Sequence, residues 1–294
     1  LSGSGARMSL HDEARLILGW NNPPRGLFCG RSGRAAIRSR HDRAVAPPGG
    51  YEMMERIAET SPRLKARIAG VFYLLNGLTF GFAEGSVRGK LVVYGDAAAT
   101  AHNILAREPL YRLGFAAYLI AAVCYITVTL LLYDLFKPVN RSLSLLAAFF
   151  SLVGCAVMAL CTLFYLAPLV VLGGAPYLSV FKVEQLQALA LMSLKLHAQA
   201  SSIYMVFFGC YCLLIGYLIF RSTFMPRIVG VFMAIAGLGY LTFLSPPLAN
   251  SLFPHILTPA GALGEGSLVL WLLVFGVNVQ RWKEQASAAG EWRS

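Results

Sequence analysis

The chain has 294 residues, of which 57% are hydrophobic and 13% are charged, and its formal net charge is +11. Soluble domains carry about 25% charged residues, so this composition, with apolar stretches of about 20 residues, excludes an ordinary soluble protein and indicates an integral membrane protein. The positive charges lie mostly in short segments between the apolar stretches, which argues against nucleic acid as a partner.

Residues 1–52 differ in composition from the rest of the chain. They are rich in Arg, Gly, Pro and Ser, and they contain no apolar stretch long enough for the hydrophobic core of a secretory signal. We expect a disordered basic extension upstream of a natural start at Met53 or Met54, with a mitochondrial-type transit peptide as the alternative. The predicted organisation is then a polytopic membrane domain over residues 53–284 and a short cytoplasmic tail over residues 285–294.

The apolar stretches after residue 67 predict an all-α membrane protein, a polytopic bundle of about six transmembrane helices. A short amphipathic helix over residues 183–195 is expected to lead into the fourth span. The six predicted spans are residues 68–87, 110–136, 142–171, 197–220, 228–244 and 261–279.

The longest polar interruption is residues 84–112, which we expect to form a polar cap on the outer side of the bundle. Asp96 follows a Tyr-Gly turn and is a suitable N-cap for a short helix in this segment. Gly77, Gly81 and Gly85 recur every four residues, a spacing that lets a neighbouring helix approach closely in lipid.

Lysines and arginines set the predicted orientation. About ten of them lie in short segments, which are the approach to the first span (residues 55–67), the tight connections at residues 137–141 and 221–227, and the C-terminal end. The longer loops carry about six over many more residues. Because basic residues concentrate on the cytoplasmic side, we expect a protein of the cell (inner) membrane with both termini in the cytoplasm.

Ionisable residues within or beside the spans are the candidate binding residues. At about 1.5 Å per residue from the basic ends, Glu84 and Glu265 are expected about 24 Å above the cytoplasmic boundary, and Arg112 and His197 about 36 Å above it. All four should therefore converge on the outer third of the bundle, where charged side chains normally face the bundle interior.

Two interpretations of this convergence stay open. The first is an outward-facing polar pocket in which arginine and lysine supply counter-charges and a histidine titrates. In the second, each carboxylate simply pairs with an arginine or caps a helix end, and so locks the bundle. The binding residues of the pocket hypothesis are Glu84, Arg88, Lys90, Asp96, Arg112, His197 and Glu265.

Catalytic and metal-binding patterns are absent from the sequence. It contains no GxSxG, HExxH or phosphate-loop pattern, its cysteines lack zinc spacing, and the spacing of Glu84, His197 and Glu265 does not identify a metal site. We therefore predict no catalytic residue, no cofactor and no metal. Binding, sensing or transport of a small molecule or ion is the leading function. The alternatives are a structural or interaction role in the bilayer and, least supported, an enzyme at the outer leaflet.

Several stretches of the chain resemble a family of bacterial membrane proteins, the domain of unknown function 4386. They cover about residues 63–278, and RGKL…GDAAATA…NI in the polar cap is the most specific of them. The other matching stretches include ARIAGVFYLL, LLLYDLFKPVNRSLSLLAAFF and GEGSLVLWLLVFGVN. The resemblance implies a multi-helix membrane protein, and it supplies neither an activity nor catalytic residues.

Overall fold

The computed structural model of the chain describes residues 61–252, 255–256 and 258–290. The predictions for residues 1–52, and for the end of the tail, lie outside these residues. The described part is helical between short turns and contains no strand, so the predicted all-α class is confirmed.

Nine α-helices of seven residues or more occur in the described ranges. They are α1 (Pro62–Gly81), α2 (Ala97–Ala106), α3 (Glu108–Phe136), α4 (Arg141–Val171), α5 (Val183–Arg221), α6 (Arg227–Leu241), α7 (Pro246–Leu252), α8 (Thr258–Val274) and α9 (Val279–Ala288).

Five helical segments of the described chain are long and apolar enough to cross a membrane. The bent pair of α8 and α9 makes a sixth if it is counted as one span, which agrees with the prediction of about six. The five are Pro62–Leu91, Glu108–Phe136, Arg141–Val171, Val183–Arg221 and Arg227–Leu244.

Local sequence signals explain where several of these helices begin. Proline lies in the first turn of α1 and of α3, where a missing backbone N–H costs nothing. The side chain of Asp96 accepts a hydrogen bond from the Ala99 backbone N–H at 2.8 Å, so the predicted N-cap of α2 is confirmed. Asn140 and Asn278 cap α4 and α9 in the same way.

The first and fourth spans differ from the predicted ones. The first continues beyond Gly81 through a π-helical stretch, Phe82–Arg88, and ends at Leu91. The fourth is one continuous helix, Val183–Arg221, so the amphipathic helix predicted over residues 183–195 is present as the first part of that span. Residues 183–195 contain no glycine or proline, so nothing in their sequence ends the helix before the apolar part of the span begins.

The sixth span is shorter than predicted. Helix α8 ends at Val274 rather than near residue 279, and α9 leaves it at an angle of 104°. Gly276 adopts φ +66° at this bend, a conformation that residues with a side chain rarely accept. The depth expected for Glu265 requires a regular helix up to the basic end at Arg281, so it changes because α8 ends at Val274.

Helix packing depends on glycines other than the predicted stripe. A Cβ at Gly230 of α6 would lie 2.6 Å from the carbonyl oxygen of Gly216 on α5, so these two helices approach backbone to backbone. A Cβ added at Gly77, Gly81 or Gly85 would meet no atom of another described helix within 4 Å. The helix contact expected at that stripe is therefore not made within the described chain.

Candidate functional site

Glu84 lies in the π-helical stretch of the first span, and both of its carboxylate oxygens are occupied. Arg88 Nη1 donates to Glu84 Oε2 at 2.5 Å, and the Tyr118 hydroxyl of α3 donates to Glu84 Oε1 at 2.7 Å. The side chains of Arg88 and Glu84 are only 17% and 28% exposed. The carboxylate is thus held by one cation and one phenol inside the bundle. π-Helical turns of this kind are frequent at functional sites.

Arg88 also contacts the polar segment that follows the span. Its Nη2 donates to the Tyr94 hydroxyl at 2.5 Å, and its guanidinium lies 5.9 Å from the centre of the Tyr94 ring. Its Nε is buried and has no hydrogen-bond partner among the described residues. One N–H of a buried guanidinium is therefore left to donate to something else.

His197 of α5 is fully buried, and its two ring nitrogens differ. The Nδ1 atom lies 2.9 Å from the Cys161 carbonyl oxygen of α4. A carbonyl only accepts hydrogen bonds, so Nδ1 carries the hydrogen in the neutral ring and Nε2 presents a lone pair. That Nε2 atom is buried and has no partner among the residues described.

Tyrosine rings surround His197 and connect it to the carboxylate. The rings of Tyr118 and Tyr165 meet the imidazole edge-on, with centres 5.5 Å and 5.7 Å away. Tyr165 in turn stacks on Tyr111 at 4.3 Å, and each hydroxyl of this pair donates to the other residue's backbone carbonyl. We name Glu84, Arg88, Tyr118 and His197 the cap site, because it lies beside the polar segment that begins after Leu91.

The other predicted cap residues lie near this level but make different contacts. Lys90 is exposed, and Asp96 is the N-cap of α2. Arg112 pairs with Glu108 one helical turn away, at 2.7 Å, and both side chains are largely exposed. The described contacts of these three residues do not involve the cap site.

Glu265 lies in a different layer of the bundle. The Tyr73 hydroxyl of α1 donates to its Oε2 at 3.2 Å, and the Tyr240 hydroxyl of α6 donates to its Oε1 at 2.5 Å. Tyr73 precedes Glu84 by eleven residues on the first span, which corresponds to about 17 Å of helix. The expected convergence of Glu84 and Glu265 is therefore wrong, because α8 ends earlier than predicted and Glu265 lies only about 14 Å from that end.

A small cavity separates the two layers. It measures about 20 Å³ as the space open to the centre of a water molecule, and Tyr118 and Tyr125 line it together with Asn76 and Tyr204. The Asn76 side chain donates to the Ala121 carbonyl oxygen at 2.9 Å, which ties α1 to α3 at this level. A cavity of this size has room for about one water molecule.

The tyrosines are candidate site residues that the sequence analysis did not single out, because aromatic side chains in membrane proteins are usually packing or interface anchors. The spacing of the residues does contain a signal. Tyr111, Tyr118 and Tyr125 recur every seven residues on α3 and so share one helix face. A buried hydroxyl in lipid needs a partner, so a repeated tyrosine face predicts a polar line inside the bundle.

No group of three His, Cys, Asp or Glu side chains that could hold a metal ion occurs among the described residues. The five cysteines of the described chain are free thiols. Within those ranges the cap site thus offers an ion pair, a phenol and an imidazole as its chemical groups.

Comparison with known proteins adds a family but no activity. The family model described as Domain of unknown function (DUF4386) matches residues 68–276. An uncharacterized protein of Archaeoglobus fulgidus is 25% identical over 152 residues, which cover 51% of this chain and 76% of the relative. No solved structure matches the chain.

Proposed function

This chain belongs to the family described as Domain of unknown function (DUF4386), and we propose that it is an integral membrane protein that binds or senses a small molecule or ion at the cap site. Transport of the same ligand would be an extension of this function. The proposal requires that Glu84, Arg88, Tyr118 and His197 act together on one ligand.

The observation that carries the proposal is the pair of buried polar atoms at the cap site that lack a partner. His197 Nε2 offers a lone pair and Arg88 Nε offers an N–H. A buried polar atom without a hydrogen bond costs about 1–3 kcal/mol, so such atoms are usually satisfied by another protein group, by ordered water or by a bound ligand. A ligand that pairs with either atom would recover part of this free energy.

The two free atoms also limit the chemistry of the ligand. His197 Nε2 needs a donor, and Arg88 Nε needs an acceptor. The site has no net charge while Glu84 and Arg88 are paired and the imidazole is neutral. We therefore favour a small polar molecule that carries both a donor and an acceptor over a strongly charged ion.

Ligand-dependent stabilisation of the detergent-purified full chain tests the proposal. The panel consists of amino acids, small polar metabolites, metal salts and lipids, applied to wild type, Glu84→Gln, His197→Gln and Arg112→Gln. A ligand at about 100 times its dissociation constant adds about 2.7 kcal/mol of stability and raises the melting temperature. We expect this shift in wild type and in Arg112→Gln, whose exposed pair lies outside the site, and its loss in the other two variants.

Two results would contradict the proposal. One is that no compound shifts the melting temperature of wild type. The other is that a compound shifts wild type, Glu84→Gln and His197→Gln equally, because that ligand would bind elsewhere.

A structural or interaction role is the second candidate. The glycine stripe Gly77, Gly81 and Gly85 supports it, since no described atom lies within 4 Å of where a side chain would begin. A helix of a second copy or of another membrane protein could approach closely there. This candidate is favoured if no ligand is found and Glu84→Gln and His197→Gln only lower the melting temperature.

We also propose the orientation that the charge distribution predicts, with both termini in the cytoplasm of a cell whose inner membrane holds the protein. Two ion pairs are consistent with it. Asp134 near the end of α3 lies 3.1 Å from Lys65 and 3.5 Å from Lys137, so its charge belongs to the basic end of the bundle.

A further inference from the structure

We infer that Glu265 is a proton-binding site within the membrane, distinct from the cap site and independent of any ligand there. Its carboxyl group takes up and releases a proton between the hydroxyls of Tyr73 and Tyr240. The inference depends on where Glu265 lies, on its two partners and on the charges around it.

Depth is the first argument. Glu265 lies seven residues after the start of α8 and nine before its end, about 11 Å and 14 Å along the helix. It shares a helix face with the buried residues Gly261, Leu268 and Leu272. A carboxylate at this position is near the middle of α8 and faces the neighbouring helices. Ionisable residues at such positions are costly and usually functional.

The partners are the second argument. Both carboxyl oxygens bond to tyrosine hydroxyls, which can donate or accept. The charged form accepts from both hydroxyls. After protonation, one oxygen donates to a tyrosine hydroxyl and the other accepts from the second tyrosine. The same two partners therefore satisfy both protonation states without movement of a helix.

The absence of a counter-charge is the third argument. In the part of the chain that the structure describes, no lysine, arginine or histidine nitrogen lies within 4 Å of the Glu265 carboxylate. Helices α1 and α6 pack against α8, and the titratable neighbours that they contribute within the described ranges are Tyr73 and Tyr240. The next ones belong to α5, and they are Tyr204, Tyr211 and Cys212.

Glu84 provides the contrast within the same protein. Its carboxylate has Arg88 at 2.5 Å, whereas Glu265 has only neutral donors. An isolated charge in an apolar interior has a much higher free-energy cost than a paired one. Binding of a proton removes this cost for Glu265, which has no cation beside it among the described residues.

Tyrosine side chains near both carboxylates line the small cavity between the two layers. Tyr118, which bonds to Glu84, and Tyr125 both line it, and the ring of Tyr125 meets that of Tyr73 at 5.4 Å. Tyr73 bonds to Glu265. The Tyr125 hydroxyl has no hydrogen-bond partner among the described residues, so this line of side chains is not a continuous hydrogen-bonded path.

Labelling with dicyclohexylcarbodiimide tests the inference on the folded full chain. This apolar reagent adds to a protonated carboxyl group in a membrane and gives a stable N-acylurea in which all atoms of both reactants are retained. The adduct is then located by peptide mass spectrometry. We expect it at Glu265 and not at Glu84, and we expect its loss at alkaline pH.

Two controls make the result interpretable. Arg88→Gln removes the counter-charge of Glu84, so the adduct should now form at Glu84 as well, which shows that the reagent reaches both layers. Denatured wild type at acid pH should be modified at both residues, which shows that both peptides are detected. The central measurement needs no variant at Glu265, so it does not depend on the folding of such a variant.

Three outcomes would overturn the inference. The folded protein could lack the adduct at Glu265 under conditions in which the denatured protein forms it. Glu84 and Glu265 could be labelled equally in wild type. Sodium, but not choline at the same concentration, could protect Glu265, which would make the site a metal-cation site rather than a proton site.

Discussion

At the scale of single residues, ion pairs of the same sequence spacing differ in how much they stabilise the protein. Arg88 and Glu84, and Arg112 and Glu108, are both separated by four residues on a helix. The first pair is mostly buried, whereas the side chains of the second are 62% and 41% exposed. Solvent-exposed pairs of this spacing contribute only about 0.3–0.5 kcal/mol.

We expect Arg88→Gln to lower the free energy of unfolding by about 1–3 kcal/mol, since it leaves the Glu84 carboxylate with less compensation inside the bundle. Arg112→Gln should change it by no more than about 0.5 kcal/mol. Thermal or denaturant unfolding of the detergent-solubilised protein measures both. Equal losses in the two variants would show that the cap-site pair is not held apart from solvent.

At the scale of helices, close packing of α5 on α6 requires glycine at positions that the helical spacing alone did not single out. Gly209 and Gly216 on α5 face Gly237 and Gly230 on α6, so backbone atoms of the two helices are in direct contact. The glycine stripe of the first span has a clearer sequence pattern and yet makes no such contact among the described residues.

We expect Gly230→Ala to destabilise the protein by about 1–3 kcal/mol, because the added Cβ would lie 2.6 Å from the Gly216 carbonyl oxygen and backbone would have to move. Gly81→Ala is the matched control, with open space at the same point and an expected change within about 0.5 kcal/mol. Melting temperatures and the oligomeric state by size-exclusion chromatography with light scattering measure both. If Gly81→Ala lost as much stability as Gly230→Ala, the stripe would be packed against another chain.

At the scale of the whole molecule, the basic ends of the spans predict on which side of the membrane each connection lies. Lys90 belongs to the polar cap, and Lys283 belongs to α9 at the opposite, basic end. In intact cells, we expect Lys90→Cys to react with a membrane-impermeant thiol reagent and Lys283→Cys to react only after permeabilisation. Wild type measures the background of the native cysteines. The reverse pattern would invert the proposed topology.

The sequence by itself determined the class of the protein, because the free energy of placing apolar side chains in lipid depends on composition and stretch length and hardly on partners. It likewise determined the N-cap at Asp96, which is a local interaction over three residues. It also identified Glu84, His197 and Glu265 as residues of interest, since ionisable groups at membrane depth are unusual wherever they occur.

Only the tertiary structure decided which of these residues meet. A count of residues along a helix assumes that the helix is regular up to its end, and the π-helical stretch of the first span and the bend at Gly276 both break that assumption. The contacts of His197 with Cys161 and of Glu265 with Tyr73 join residues 36 and 192 positions apart. Such pairings depend on the packing of whole helices, which no local sequence pattern encodes. This packing places Glu265 in a different layer of the bundle from the cap site.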